Sequence, residues 1–220
     1  MKRLRCAWIA APLAATLLPC LLPAAAAEQQ TMPAPSTEPP CTACHGGHGE
    51  GMAAAHVPRL TGQSAEYLLK QLDDYASGAR DNPIMRNFAK AISQGRRAQL
   101  AAQFAAMTAP FLPEVAVANA AQLSRGHKLA YEGDARQELQ ACNSCHGPDG
   151  SGVLHAAPYL AGQSSEYIAS ALKAFQSGER KNDGGELMRS VVKRLTDTDI
   201  AAVSAYFAQA GVAHRTSSTQ

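Results

Sequence analysis

Two five-residue runs carry the chemistry of this chain: Cys41-Thr42-Ala43-Cys44-His45 and Cys142-Asn143-Ser144-Cys145-His146. A Cys-x-x-Cys-His run is the covalent attachment site of a c-type haem. The two thiols add across the porphyrin vinyl groups as thioethers, and the histidine reaches the iron from the proximal side. A thiol-redox or zinc site built on Cys-x-x-Cys is the competing reading. It gives no reason for a histidine directly after the second cysteine, twice over. The runs therefore predict two covalent haem c groups, held by Cys41, Cys44, Cys142 and Cys145, with His45 and His146 as axial ligands. Two haems in one chain make electron transfer the leading function.

The remaining site residues come from positions that recur in both halves. Met85 and Met188 stand at equivalent places, each eight residues before the start of a final helix, in stretches read as irregular. An imidazole and a thioether form an electron-transfer ligand pair that raises the haem potential. Both methionines are accordingly distal-ligand candidates, with core packing as the alternative. Pro58 and Pro158 lie 13 and 12 residues beyond the proximal histidines. Each offers a carbonyl that could orient the imidazole, or serves only to shape the loop. Tyr67, Tyr167, Arg80 and Arg180 suit haem propionates through O–H donation and the guanidinium fork; a core aromatic and a solvated charge are the alternatives. His56 and His155 are read as loop or propionate residues, His48 as a loop residue, and His127 and His214 as solvent-facing.

These residues sit on a tandem repeat with an offset near 100. Leu60-Thr61-Gly62-Gln63-Ser64-Ala65-Glu66-Tyr67 matches Leu160-Ala161-Gly162-Gln163-Ser164-Ser165-Glu166-Tyr167, and Ser77-Gly78-Ala79-Arg80 matches Ser177-Gly178-Glu179-Arg180. Apolar residues at helical spacing predict a helix from Ser64 to Gly78 and another from Ser164 to Gly178. Further helices are expected from about Ser93 to Met107, from Ala120 to Tyr131, and from Thr196 to Gly211. Arg96 and Arg97 at the start of the Ser93 helix oppose its dipole, so that copy is expected to be the weaker.

The first residues have the form of a secretory signal. Lys2, Arg3 and Arg5 precede an apolar run and an Ala-x-Ala site, with cleavage expected after Ala27. Pro12, Pro19 and Pro23 disfavour a membrane anchor. Cleavage removes Cys6 and Cys20, so the four remaining cysteines all lie in the haem runs. It also leaves 17 Lys and Arg against 18 Asp and Glu, a charge of −1. That balance excludes a nucleic-acid partner, and no later stretch is apolar enough to span a bilayer. The expected organisation is a signal peptide at 1–27, a disordered tail at 28–40, domain 1 at 41–109, a linker at 110–118, domain 2 at 119–211 and a tail at 212–220.

The sequence pattern resembles class I cytochrome c: Cys-x-x-Cys-His-Gly, Pro-x-Leu-x-Gly-Gln-x-x-Glu-Tyr, Ser-Gly-x-Arg, a methionine, then a terminal helix. In tandem it is similar to the dihaem cytochrome c4 group over residues 41 to 211. The resemblance implies an all-α fold of two tandem class I cytochrome c domains, each wrapped around one covalent haem. It also implies His/Met ligation, haems facing each other, and periplasmic electron transfer. Expected partners are a dehydrogenase or reductase donor and a terminal oxidase or other cytochrome acceptor. The chain is expected to be a carrier and not an enzyme. The alternatives are an electron-accepting subunit of a dehydrogenase complex and a haem enzyme with one labile distal ligand. One departure stands out: the family's first helix has no counterpart before Cys41, where Pro33, Pro35, Pro39 and Pro40 stand. The terminal helix of domain 1 is therefore expected to expose an apolar face or to bury it against domain 2 or a partner subunit.

Overall fold

The computed structural model describes residues 41–107, 118–153 and 157–216, all within one compact unit spanning Glu38–Gln220. The expected signal peptide and proline-rich tail lie outside the described residues. So do the linker through residue 117, His155, the last four residues, and the side chain of His214. The first half contributes α1 (Thr42–His45), α2 (Ala65–Ser77), α3 (Pro83–Ala91) and α4 (Gln94–Ala106). The second contributes α5 (Ala120–Tyr131), α6 (Asn143–His146), α7 (Ser165–Ser177), α8 (Leu187–Val192) and α9 (Asp197–Thr216). Among the described residues there is no sheet, only three isolated bridges.

Local chemistry fixes the helix ends. The Ser64 and Ser164 hydroxyls accept from the backbone N–H of Tyr67 and Tyr167 at 3.1 and 3.2 Å, capping α2 and α7 alike. Gly78 and Gly178 end these helices in the left-handed conformation. At α9, Thr196 Oγ1 accepts from the Asp199 N–H at 3.1 Å, and Asp199 Oδ2 accepts from the Thr196 N–H at 3.1 Å. This reciprocal arrangement satisfies two orphan donors. The helix then continues through Gly211 to Thr216, past the stop expected there. A helical glycine lowers stability by about 1 kcal/mol but does not by itself end a helix.

The two cores differ. In the second half α5, α7 and α9 enclose Leu129, Leu139, Ile168, Phe175, Val192, Ile200, Val203 and Phe207. The first-half cluster is Leu68, Ala101 and Phe104. α5 lies on α9 so closely that a Cβ on Gly126 would fall 2.2 Å from the Ala202 carbonyl oxygen. Where α9 presents Ala202 and Tyr206 to α5, α4 carries Gln99 and Gln103, both exposed. At the two positions equivalent to Ala202 and Tyr206, α4 thus carries polar side chains in place of the apolar face expected there.

Arg97 also departs from expectation. Its Nε pairs with Asp73 Oδ1 at 2.7 Å, and its Nη1 donates to the carbonyls of Ala89 and Ile92 at 2.9 and 2.8 Å. In the second half Gln176 Nε2 serves the corresponding carbonyls, Val192 and Leu195, at 3.0 Å each. Arg97 thus caps the end of α3 and compensates for its position near the α4 N-terminus. Met85 and Met188 stand in α3 and α8, not in irregular chain. Asn82 and Pro83 start α3 as cap and first helical residue, a signal legible in the sequence.

Candidate haem-binding site

Each attachment run is a single helical turn. His45 N–H donates to the Cys41 carbonyl at 2.9 Å, and His146 N–H to that of Cys142 at 2.9 Å. Residues three and four apart share a helix face, so both cysteines and the histidine of each run are presented together. Cys44 and Cys145 are exposed, Cys41 and Cys142 are half-buried, and none of the four is in a disulfide. Burial pushes the Cys142 thiol up to about 11. The chain then loops back under the histidine. Gly51 N–H donates to His45 O, and Gly152 N–H to His146 O. Gly49 and Gly150, at φ +71° and +69°, cross the terminal helices where a Cβ would strike Phe104 or Phe207 within 3 Å.

This loop delivers Pro58 and Pro158 to the imidazoles. His45 Nδ1 lies 2.9 Å from Pro58 O, and His146 Nδ1 lies 2.9 Å from Pro158 O. With Nδ1 as the donor, Nε2 is the lone-pair nitrogen. Burial lowers both histidine pKa values, against the smaller opposing effect of the proline carbonyls, and keeps the rings neutral. A neutral imidazole with its second nitrogen anchored is the form that ligates a metal.

On the other side, Asn82 Oδ1 accepts from the Met85 N–H at 3.0 Å and fixes the first turn of α3. Met188 is half-buried against the second core. The Arg189 Nε–Asp183 Oδ1 ion pair at 2.8 Å holds the turn that carries it. Ile84 and Leu187, each preceding its methionine, are 65% and 70% exposed. His56 is an exposed loop residue in the left-handed conformation, and His48 is also exposed. His127 is exposed too but stacks on Tyr131 at 4.6 Å.

The four tyrosine and arginine candidates meet where the halves touch. Arg80 Nη2 donates to Tyr167 Oη at 2.9 Å, and Arg180 Nη2 to Tyr67 Oη at 3.4 Å. Both guanidiniums are buried, 8% and 9% exposed, and stack over Tyr75 and Phe175. Their other acceptors are Gln71 Oε1, at 2.8 Å from Arg80 and 3.1 Å from Arg180, and Asn182 Oδ1, at 2.9 Å from Arg180. Among the described residues no carboxylate pairs with either. Two guanidiniums that share the Gln71 oxygen repel each other in this buried setting. Burial lowers the Arg80 pKa, but Tyr167, Tyr75 and Tyr67 outweigh it and hold the guanidinium above its ordinary value. The Tyr167 phenol is brought down by Arg80 and Arg180 against the opposing effect of its burial.

A second, symmetric clasp lies beside this one. Gln63 Nε2 donates to Tyr159 O at 2.6 Å, and Gln63 Oε1 accepts from Tyr159 N–H at 3.0 Å. Gln163 does the same with the Arg59 backbone, at 3.0 and 2.9 Å. The sequence reading missed Gln63, Gln163, Gln71 and Asn182. The repeated Gly-Gln-Ser run was the available signal for the first two.

These features fit a covalently held haem on each side of the junction. Each half brings together paired cysteines and a preset imidazole, and carries an exposed aliphatic residue directly before a methionine. Among the described residues the two buried cations pair with no carboxylate, and each haem carries two.

A model of the cytochrome c family matches residues 38–115 and 124–211. The chain is 43% identical over 171 residues to a thiosulfate dehydrogenase electron acceptor of Stutzerimonas stutzeri (strain A1501), covering 78% of this chain and 79% of that one. The fold is similar to that of reduced cytochrome c4 from Pseudomonas stutzeri, with a TM-score of 0.70 and 35% identity, over 77% of this chain and 92% of that one. It is also similar to part of a thiosulfate dehydrogenase from Marichromatium purpuratum, with a TM-score of 0.73 and 31% identity, over 82% of this chain and 38% of that one.

Proposed function

The chain belongs to the cytochrome c family, and we propose that it is a periplasmic carrier passing single electrons between proteins through two His/Met-ligated irons. It is an all-α electron-transfer cytochrome of two tandem domains with two covalent haem c groups. In this reading Cys41, Cys44, Cys142 and Cys145 hold the porphyrins, and His45 and His146 supply Nε2 to the iron. Each haem, when bound, supplies a one-electron ferrous/ferric couple. Met85 and Met188 close the distal side and leave no position for a substrate, which favours a carrier over a haem enzyme. Arg80, Arg180, Tyr67 and Tyr167 offer donors to the propionates. The observation that carries the reading is the same 2.9 Å contact between proximal imidazole and proline carbonyl in both halves.

Carbon monoxide tests it. The reduced protein is expected to resist binding at both irons, whereas rapid binding at either would indicate a labile distal ligand.

A second reading, as the acceptor for a thiosulfate dehydrogenase, is favoured by the 43% identity to a protein of that name. It is compatible with the first and names the donor. Stopped-flow mixing of the ferric protein with a reduced thiosulfate dehydrogenase decides it: reduction within milliseconds supports that donor, and none rejects it.

A further inference from the structure

We propose that Gln71 is a positioning residue shared by both haem sites, an uncharged hub that keeps Arg80 and Arg180 free to serve the propionates. The proposal rests on the dihaem reading above. Gln71 is buried on α2, and its Oε1 accepts from Arg80 Nη1 at 2.8 Å, Arg180 Nη2 at 3.1 Å and Asn182 Nδ2 at 3.0 Å. Three donors from both halves converge on one carbonyl oxygen. The corresponding position of α7 is Ala171, which offers no acceptor. Gln71 therefore has no counterpart at the equivalent place in the second half.

Its surroundings are asymmetric in the same way. Asp74 Oδ2 accepts from Asn182 Nδ2 at 2.6 Å, and Lys70 Nζ donates to Asn182 O at 2.8 Å. Their counterparts are Ala174 and Ser170. Thus α2 grips Asn182 and, through Gln71, the guanidinium of Arg180 just ahead of it. A carboxylate at position 71 would make the same contacts but would neutralise the cations. The amide holds both while leaving their charge unspent. A perturbation at this one side chain must then be felt at two irons.

The test is Gln71→Glu in the haem-loaded protein, with Gln71→Met as a neutral match in size. Gln71→Glu adds a negative charge against both guanidiniums, which favours the ferric state at each iron. Both midpoint potentials are expected to fall by similar amounts, with Gln71→Met producing only a small part of that shift. In ferric Gln71→Met, the paramagnetically shifted haem-methyl resonances of both haems are expected to move, which tests the sharing even if Gln71→Glu fails to fold. A shift confined to one haem, no shift, or equal shifts in the two variants would overturn the proposal. The near-infrared methionine-to-iron band, recorded on the same wild-type sample, separates the two failures. Its absence refutes the ligation reading, while its presence with unmoved potentials refutes the Gln71 hub alone.

Discussion

Gly126→Ala places one methyl group where α5 packs tightly on α9. An ideal Cβ there lies 2.2 Å from the Ala202 carbonyl oxygen, 2.9 Å from its carbon and 2.6 Å from Tyr206 Cβ. Ordinary contact would need α5 to move out by about 1 Å, and a gap of that size forfeits up to half of each contact's dispersion energy. Overpacking costs about 1–3 kcal/mol, and a backbone obstacle puts this site at the upper end. Replacing a helical glycine with alanine returns about 1 kcal/mol. The net expectation is a loss of about 2 kcal/mol, a fall in Tm of roughly 4–8 °C for a protein of this size. Circular dichroism during thermal unfolding of the haem-loaded protein measures it. Gly95→Ala on α4 is the control, because nothing lies within 4 Å of its Cβ. It should gain roughly 0.5 kcal/mol and raise Tm by a degree or two. A Gly126→Ala variant as stable as wild type would refute the close α5–α9 packing.

Asp199 is 3% exposed, and its carboxylate accepts from Arg125, Gln137 and Thr196. Asp199→Ala is expected to cost about 3 kcal/mol, because it leaves the charge of Arg125 underpaired; denaturant titration checks this. These contacts hold the Asp199 pKa at about 2, overcoming the opposing effect of burial. A depressed carboxylate pKa contributes stability above the unfolded value of about 3.9, and the contribution is lost as pH falls through about 2. Asp199→Ala should therefore flatten the acid limb of the stability profile between those values. The double variant Gln63→Ala, Gln163→Ala removes four hydrogen bonds between the halves. At about 1 kcal/mol each it should lose roughly 4 kcal/mol of coupling and resolve unfolding into two calorimetric transitions. A single unchanged transition would contradict that role for the clasp.

Most helices were legible because local chemistry sets them. Ser64, Ser164 and Thr196 cap, Gly78 and Gly178 terminate, and the apolar residues between them keep a helical period. The attachment runs and the returning prolines were equally local, since 12 or 13 residues separate donor and acceptor. Met85 was misplaced into irregular chain because the Asn82-Pro83 start signal went unused. Arg97 was misjudged because its value lies in Asp73 and two carbonyls, which only the tertiary fold brings to it. The roles of Gln63 and Gln163 depend on partners 96 and 104 residues away, which no periodicity reveals. Substitution of Gln99 and Gln103 for Ala202 and Tyr206 was readable from the repeat. Both glutamines are exposed, so α4 faces solvent at the positions where α9 meets α5.

We propose that Met85 and Met188 each ligate an iron opposite His45 and His146. The near-infrared methionine-to-iron charge-transfer band of the oxidised protein tests it most directly, recorded for wild type, Met85→Ala and Met188→Ala at equal haem concentration. The band is expected in wild type, at about half its intensity in each single variant, and lost in the double variant. A wild-type spectrum without the band, or a single variant that keeps full intensity, would contradict it.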